Sequence, residues 1–284
     1  MQRTLLALVA LVAICSGLLA TYALVRPAPA LDKDAVRSIV SEVLADRASS
    51  ASAAAAPEKL DASTINPMIE SYLMQNPEIL QKVSQALDEK IKAADAERAR
   101  TQIAALHDQI FNDPNQIVVG NPNGDVTLVE MFDYNCTYCR SALPDLAALI
   151  QEDPNLRVVL KEFPILSKGS VDAARVAILV SQSKADYWTF HQALFSSRGQ
   201  VNADTAWNEA EALGLDRAAL EPKAASNEVA SIIQSSYNIA KALNITGTPT
   251  FIIGNEIIPG AVGKDELKTR IANMRACGET VCGG

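Results

Sequence analysis

Histidine is scarce in this chain, with two in 284 residues, and cysteine is nearly so, with five. His107 and His191 fall in segments that read as helix and have no ligand-like spacing. A structural zinc site needs four ligands, which argues against one built on these residues. His191 reads instead as a packed helix residue. Basic runs are also missing. The 25 Lys and Arg are outnumbered by 33 Asp and Glu, for a net charge of -8. Phosphate binding needs clustered positive charge, so nucleic acid is excluded as the main partner. The 49% hydrophobic content belongs to a globular chain, not a disordered one.

The longest uncharged stretch lies at the N-terminus. Arg3 is followed by uncharged, mostly apolar residues from Leu5 to Val25, and Ala28–Ala30 read "APA". This segment, residues 1–30, is a signal peptide cleaved after a small-residue site or a membrane anchor that is retained. Ile14 before Cys15 argues against a lipid anchor. Either way the rest of the chain crosses the membrane into a compartment where disulfides persist, as a soluble or membrane-anchored protein.

Behind the leader, residues 31–57 read as a short helix with Val36, Ile39, Val40, Val43 and Leu44 at helical spacing, then an Ala/Ser linker "ASSASAAAAPEK". Residues 58–112 read as helix, interrupted at Asn76 and Pro77, with Asn76 as an N-cap. Their apolar stripes have no partner within the segment. They bury themselves on the downstream domain or on other copies of the chain, and the segment's length and its own linker favour self-association through residues 31–112.

From residue 113 the pattern is strand, helix, strand, then a helical block at about 167–243 broken near Gly199, Gly214 and Pro222. A strand pair around Gly254 and Asn255 and a last helix, Lys264 to Arg275, close the chain. The fold class is α/β, a sheet interrupted by a helical insert.

Cys136 and Cys139 sit in "FDYNCTYCR", where a strand ends and a helix begins. The pair is a redox dithiol, half of a zinc site, or a structural disulfide. Its position favours the first. Helix N-terminal N–H groups are unpaired and the helix dipole is positive there, which favours an anionic sulfur. One turn later, Cys139 is placed to close a disulfide with Cys136. Cys277 and Cys282 enclose "GETV" and read as a structural disulfide, with a second redox relay as the alternative. Reduced thiols are also soft ligands for Cu(I), so a copper-handling protein is the reading from a different class.

Pro144 lies inside the helix that Cys136 opens, and "TGTPTFIIG" places Thr248 and Pro249 just before a strand. With these residues, 114–276 resembles the thioredoxin fold, and specifically the DsbA-like periplasmic thiol–disulfide oxidoreductases. "YWTFHQALF", from Tyr187, is similar to a stretch of that family's helical insert. "INPMIESYLMQNPEILQKVSQALDEK" is similar to the N-terminal region of the suppressor-of-copper-sensitivity protein C group, some of whose members assemble through it and isomerise disulfides. The resemblance implies a thioredoxin-like domain over 113–284, with Cys136 as nucleophile and Cys139 as resolving thiol. It implies a cis bond at Thr248–Pro249 beside them, where substrate backbone binds. It also implies proton handling by Glu130 and by Lys161 on the neighbouring strand. No cofactor and no metal are implied. The partners implied are cysteine-containing envelope proteins and a membrane redox protein that resets the dithiol. Thr137 departs from the commoner Pro or Gly between the cysteines, so the redox potential does not carry over.

Overall fold

The structure, a computed structural model, describes residues 33–52 and 61–283. The leader at 1–30 and most of the Ala/Ser linker lie outside the described residues. Among the described residues no helix is long and apolar enough to cross a membrane. The chain divides after Leu80 into two units.

In the first unit, α1 (Lys33–Ser52) carries Val36, Ile39, Val40, Val43 and Leu44 along one stripe, all exposed. It runs to Ser52, so the first residues of the expected linker are helical. Helix α2 (Ala62–Gln75) is capped by Asp61, whose carboxylate accepts the Ser63 N–H at 3.2 Å. Met68, Ile69 and Tyr72 are exposed on it. Asn76 is not an N-cap. It ends α2, its side-chain amide donating to the Tyr72 carbonyl at 2.8 Å, and α3 (Glu78–Ala105) starts two residues later. An asparagine between two helices can close the first or open the second, and here the free carbonyls of α2 take it.

The second unit holds a five-stranded sheet, β1 (Ile117–Gly120), β2 (Val126–Phe132), β3 (Leu156–Glu162), β4 (Thr250–Ile253) and β5 (Glu256–Pro259), in the order β1-β3-β2-β4-β5. Strand β2 is central, parallel to β3 and antiparallel to β4. Its run VTLVEMF is apolar on both faces because both are covered. Alternation sorts the two faces. Leu128, Phe132, Val158 and Leu160 face a core shared with α5 (Thr137–Glu152) and the insert; Val129, Met131, Val159 and Ile252 face a second core.

Ile103 of α3, and Ile110 and Phe111 of α4 (His107–Phe111), are buried in that second core. The helical segment 58–112 is therefore not separate throughout: its last turns complete the sheet's packing. The insert comprises α6 (Lys168–Ser181), α7 (Tyr187–Ser196), α8 (Ala203–Ala212), α9 (Arg217–Ala224) and α10 (Asn227–Ala242). Its breaks fall near Gly199 and Gly214, at Ala225–Ser226 with Pro222 still inside α9, and also before Asp186, which caps α7. Helix α11 (Lys264–Cys277) follows the β4–β5 hairpin.

Candidate active site

Cys136 is the N-cap residue of α5, at φ -80 and ψ 118, just past the carboxyl end of central strand β2. Its Sγ accepts the Cys139 N–H at 3.4 Å and donates to the Thr248 carbonyl at 3.1 Å. The Thr248–Pro249 bond is cis and leads into β4. A shallow groove of about 380 Å³ runs from Asn244 through Pro249 to Gly260. Chain topology thus brings together residues more than a hundred positions apart: the end of β2, the start of α5 and the start of β4.

The two sulfurs differ. Cys136 is 6% exposed and Cys139 1%. Burial first, and the Glu130 charge second, push the Cys139 thiol far above the ordinary range. Both cysteines are free thiols in the structure. Pro144 lies inside α5 without ending it. Cys277 and Cys282 form a disulfide with S–S 2.11 Å at the end of α11. Among the described residues no group of three or more His, Cys, Asp or Glu is arranged to hold a metal ion.

Glu130 sits on β2, 3% exposed, on the sheet face that also carries Phe132 and the dithiol helix. Burial raises its carboxyl to about 8. Lys161 does not join it. In β3 Lys161 shares parity with Val159 and faces the second core, where its ammonium donates to the Gln109 carbonyl at 2.9 Å. Burial lowers it to about 8. The neighbouring residue Glu162 has the parity of Leu160 and faces the dithiol side. It is paired across the ladder with Phe132 and lies diagonal to Glu130. The expected acid–lysine pair is therefore replaced by two acids on one buried face.

The three residues before Cys136 are each bonded to the insert or to the loop that leads into it. Asp133 accepts the Leu166 N–H at 2.9 Å. The Tyr134 hydroxyl lies 2.9 Å from the Tyr187 hydroxyl and 3.1 Å from His191 Nδ1. Asn135 accepts from Val201 N at 2.8 Å and donates to Val201 O and Ser170 Oγ, both at 2.9 Å. His191 is packed in the insert, and burial lowers it to about 3. Sequence reasoning passed over Asp133, Tyr134, Asn135 and Tyr187, and met Glu162 only as the neighbour that blurs the choice of Lys161. The available signal was three consecutive polar-capable residues, "DYN", closing an apolar strand, and the four-residue spacing of Tyr187 and His191.

The DSBA-like thioredoxin domain family matches residues 127–272, just over half of the 284-residue chain. The copper resistance protein ScsC N-terminal domain matches residues 62–94. A solved thioredoxin-like oxidoreductase from Silicibacter pomeroyi DSS-3 is 40% identical, with TM-score 0.57, over 60% of this chain and 98% of that one. The catalytic domain of Proteus mirabilis ScsC is 25% identical, with TM-score 0.58, over 62% of this chain and 98% of that one. Disulfide bond formation protein D of Bacillus subtilis is 26% identical over 55% of this chain and 75% of its own length. The chain spans only 26% and 29% of the length of two Salinispora Na(+)/H(+) antiporters that it also matches, at 26% and 24% identity.

Proposed function

Because the chain belongs to the DSBA-like thioredoxin-domain family, we propose that it is a periplasmic thiol–disulfide oxidoreductase acting on cysteine-containing proteins through Cys136 and Cys139. The observation that carries this reading is the Cys136 sulfur at the start of α5, 3.1 Å from the Thr248 carbonyl. Cys136, as thiolate, attacks one sulfur of a substrate disulfide. A Cys136–substrate S–S bond forms, and the other substrate sulfur leaves as thiolate. Glu130, whose carboxyl is raised to about 8, takes the Cys139 proton in its ionised fraction, and Cys139 attacks the Cys136 sulfur. The Cys136–Cys139 disulfide closes and the second substrate thiolate leaves. The substrate gains two electrons, the dithiol loses two, and the reverse sequence oxidises a substrate. The two protein sulfurs and the two substrate sulfurs account for every bond and electron, so no cofactor enters. The groove beside Thr248 and Pro249 receives the substrate's extended backbone. A membrane redox protein returns the dithiol to its working state.

Isomerisation is the direction favoured by the N-terminal helices. Exposed apolar stripes on α1, α2 and the first half of α3, including Leu80, Val83, Leu87 and Ile91, suit self-association. Several dithiols around one space hold a substrate through a mixed disulfide while its own thiolates rearrange. The test is sedimentation of the full-length protein and of a Val83→Glu/Leu87→Glu variant, with recovery of a scrambled disulfide substrate. The wild type is an oligomer that recovers the substrate, and the variant is smaller and recovers little. A monomeric wild type leaves dithiol oxidase as the function.

The match to the ScsC N-terminal domain favours one second reading, Cu(I) capture by the reduced thiols. Cys139→Ser separates the two. An oxidoreductase accumulates mixed disulfides at Cys136, whereas a copper carrier loses metal affinity and forms none.

A further inference from the structure

Four buried side chains behind the cysteine loop take no part in the exchange reaction. Glu162, Tyr187, Tyr134 and His191 are 3%, 8%, 1% and 1% exposed. Their polar atoms form one line, closed at one end by a longer contact of 3.5 Å between Tyr187 Oη and His191 Nδ1. Tyr187 Oη donates to Glu162 Oε1 at 3.4 Å and lies 2.9 Å from Tyr134 Oη. Tyr134 Oη lies 3.1 Å from His191 Nδ1. The imidazole is enclosed by Phe132, Trp188 and Phe195 at ring separations of 4.8, 5.5 and 4.9 Å.

Donor counting gives the line a direction. Each tyrosine has one O–H to give. Among the described residues, two buried side-chain oxygens lack a hydrogen-bond partner, Glu162 Oε2 and Gln116 Oε1. Both residues line one cavity of about 20 Å³, room for roughly one water. Two acceptors cannot satisfy each other. A proton on Glu162 Oε2 gives the carboxyl a donor into that cavity; a water there donates to both oxygens in either state of the carboxyl, so the assignment rests on the burial of a carboxyl that has no ion pair. Oε1 still accepts from Tyr187, Tyr187 accepts from Tyr134, and Tyr134 accepts from a protonated His191 Nδ1. An ionised Glu162 would be a buried charge with no cation beside it, which is the costlier state.

The surroundings agree. Burial first and the Asp133 charge second push the Glu162 carboxyl well above the carboxylate range. Glu130 adds a second acid on the same face. Of the charged groups lining the cavity, Asp113 is another acid. Lys161 is bonded to Gln109 and forms no ion pair with Glu162.

We infer that Glu162 is held neutral and ends a one-way hydrogen-bond chain, His191 to Tyr134 to Tyr187 to Glu162, that positions the loop bearing Cys136 against the helical insert. These are positioning residues, since none touches a reacting sulfur. The positioning half rests on the oxidoreductase reading; the direction of the chain does not.

Nitrogen-15 NMR of the full-length protein reads the tautomer, with His107→Gln separating the two histidines. His191 is expected as Nδ1–H, and an Nε2–H tautomer overturns the chain. Glu162→Gln reproduces the neutral carboxyl, with an oxygen for Tyr187 and an amide for Gln116. It is expected to match or exceed the wild-type denaturation midpoint, and a clear loss overturns the neutral assignment. Positioning is read by the rate of Cys136 alkylation with iodoacetamide. That rate changes at least about threefold in Tyr134→Phe and stays within about twofold in Glu162→Gln. A Tyr134→Phe rate equal to wild type overturns positioning. Equilibration with glutathione, one GSSG oxidising the dithiol and giving two GSH, is a separate readout. Its failure in the wild type sinks the oxidoreductase reading and leaves the tautomer and alkylation outcomes to judge the chain.

Discussion

The two cysteines stand one turn apart in unlike surroundings, and their reactivities should differ accordingly. Cys136 keeps 6% exposure beside the Thr248 carbonyl, while Cys139 is buried near Glu130. In the reduced protein at pH 7, iodoacetamide is expected to label Cys136 and leave Cys139 unlabelled, as peptide mapping would show; equal labelling contradicts the assigned order of attack. Glu130 makes a second prediction. Its carboxyl is near 4.5 unfolded and about 8 folded. Between those values the native state holds a proton that the unfolded state has released, so this group's contribution to stability falls as pH rises, by up to about 1.4 kcal/mol per unit. Glu130→Gln removes that slope. Wild-type stability minus variant stability, from urea titrations at pH 5, 6.5 and 8, should decrease with pH; a flat difference means that Glu130 is ionised throughout. At this scale the cysteine pair was legible because its meaning is local, two thiols across one helical turn behind a strand. The Lys161 assignment failed for a non-local reason. Lys161 and Glu162 are neighbours that point to opposite sheet faces, and which one meets Glu130 depends on the β2–β3 register. No single strand's sequence states that register.

Among the elements, α3 changes role along its length. Leu80, Val83, Leu87 and Ile91 are exposed, whereas Ile103 is 1% exposed in the sheet's second core. Periodicity showed a continuous helix but not the point where its partner changes, since apolar spacing is the same against a sheet or another helix. Ile103→Ala should therefore destabilise the redox domain by about 2–5 kcal/mol, while Leu87→Ala should leave its unfolding midpoint nearly unchanged. Thermal melts of the two variants decide this, and equal effects would contradict the division of α3. The insert was legible as a helical block. Its attachment to the cysteine loop was not, because Asn135 meets Val201 66 residues away. Asn135→Ala leaves the Val201 N–H and carbonyl without these partners and should cost about 2–4 kcal/mol, read by chemical denaturation. A loss under about 0.5 kcal/mol would show that solvent replaces the amide.

For the whole molecule, the account joins a redox domain of the DSBA-like family to N-terminal helices whose apolar stripes are exposed within their own unit. The net charge of -8 argues against nucleic acid as the main partner. The oxidoreductase reading depends on one reaction, attack by Cys136 on a substrate disulfide with Cys139 as the resolving thiol. The direct measurement is intact-mass and peptide-level mass spectrometry of the Cys139→Ser protein after incubation with a disulfide-bonded peptide. The account predicts one stable peptide adduct per chain, on Cys136, and none on Cys277 or Cys282, with the same incubation of the wild type yielding free peptide thiols and a Cys136–Cys139 disulfide. An unmodified Cys139→Ser protein, or an adduct on any other cysteine, would contradict it.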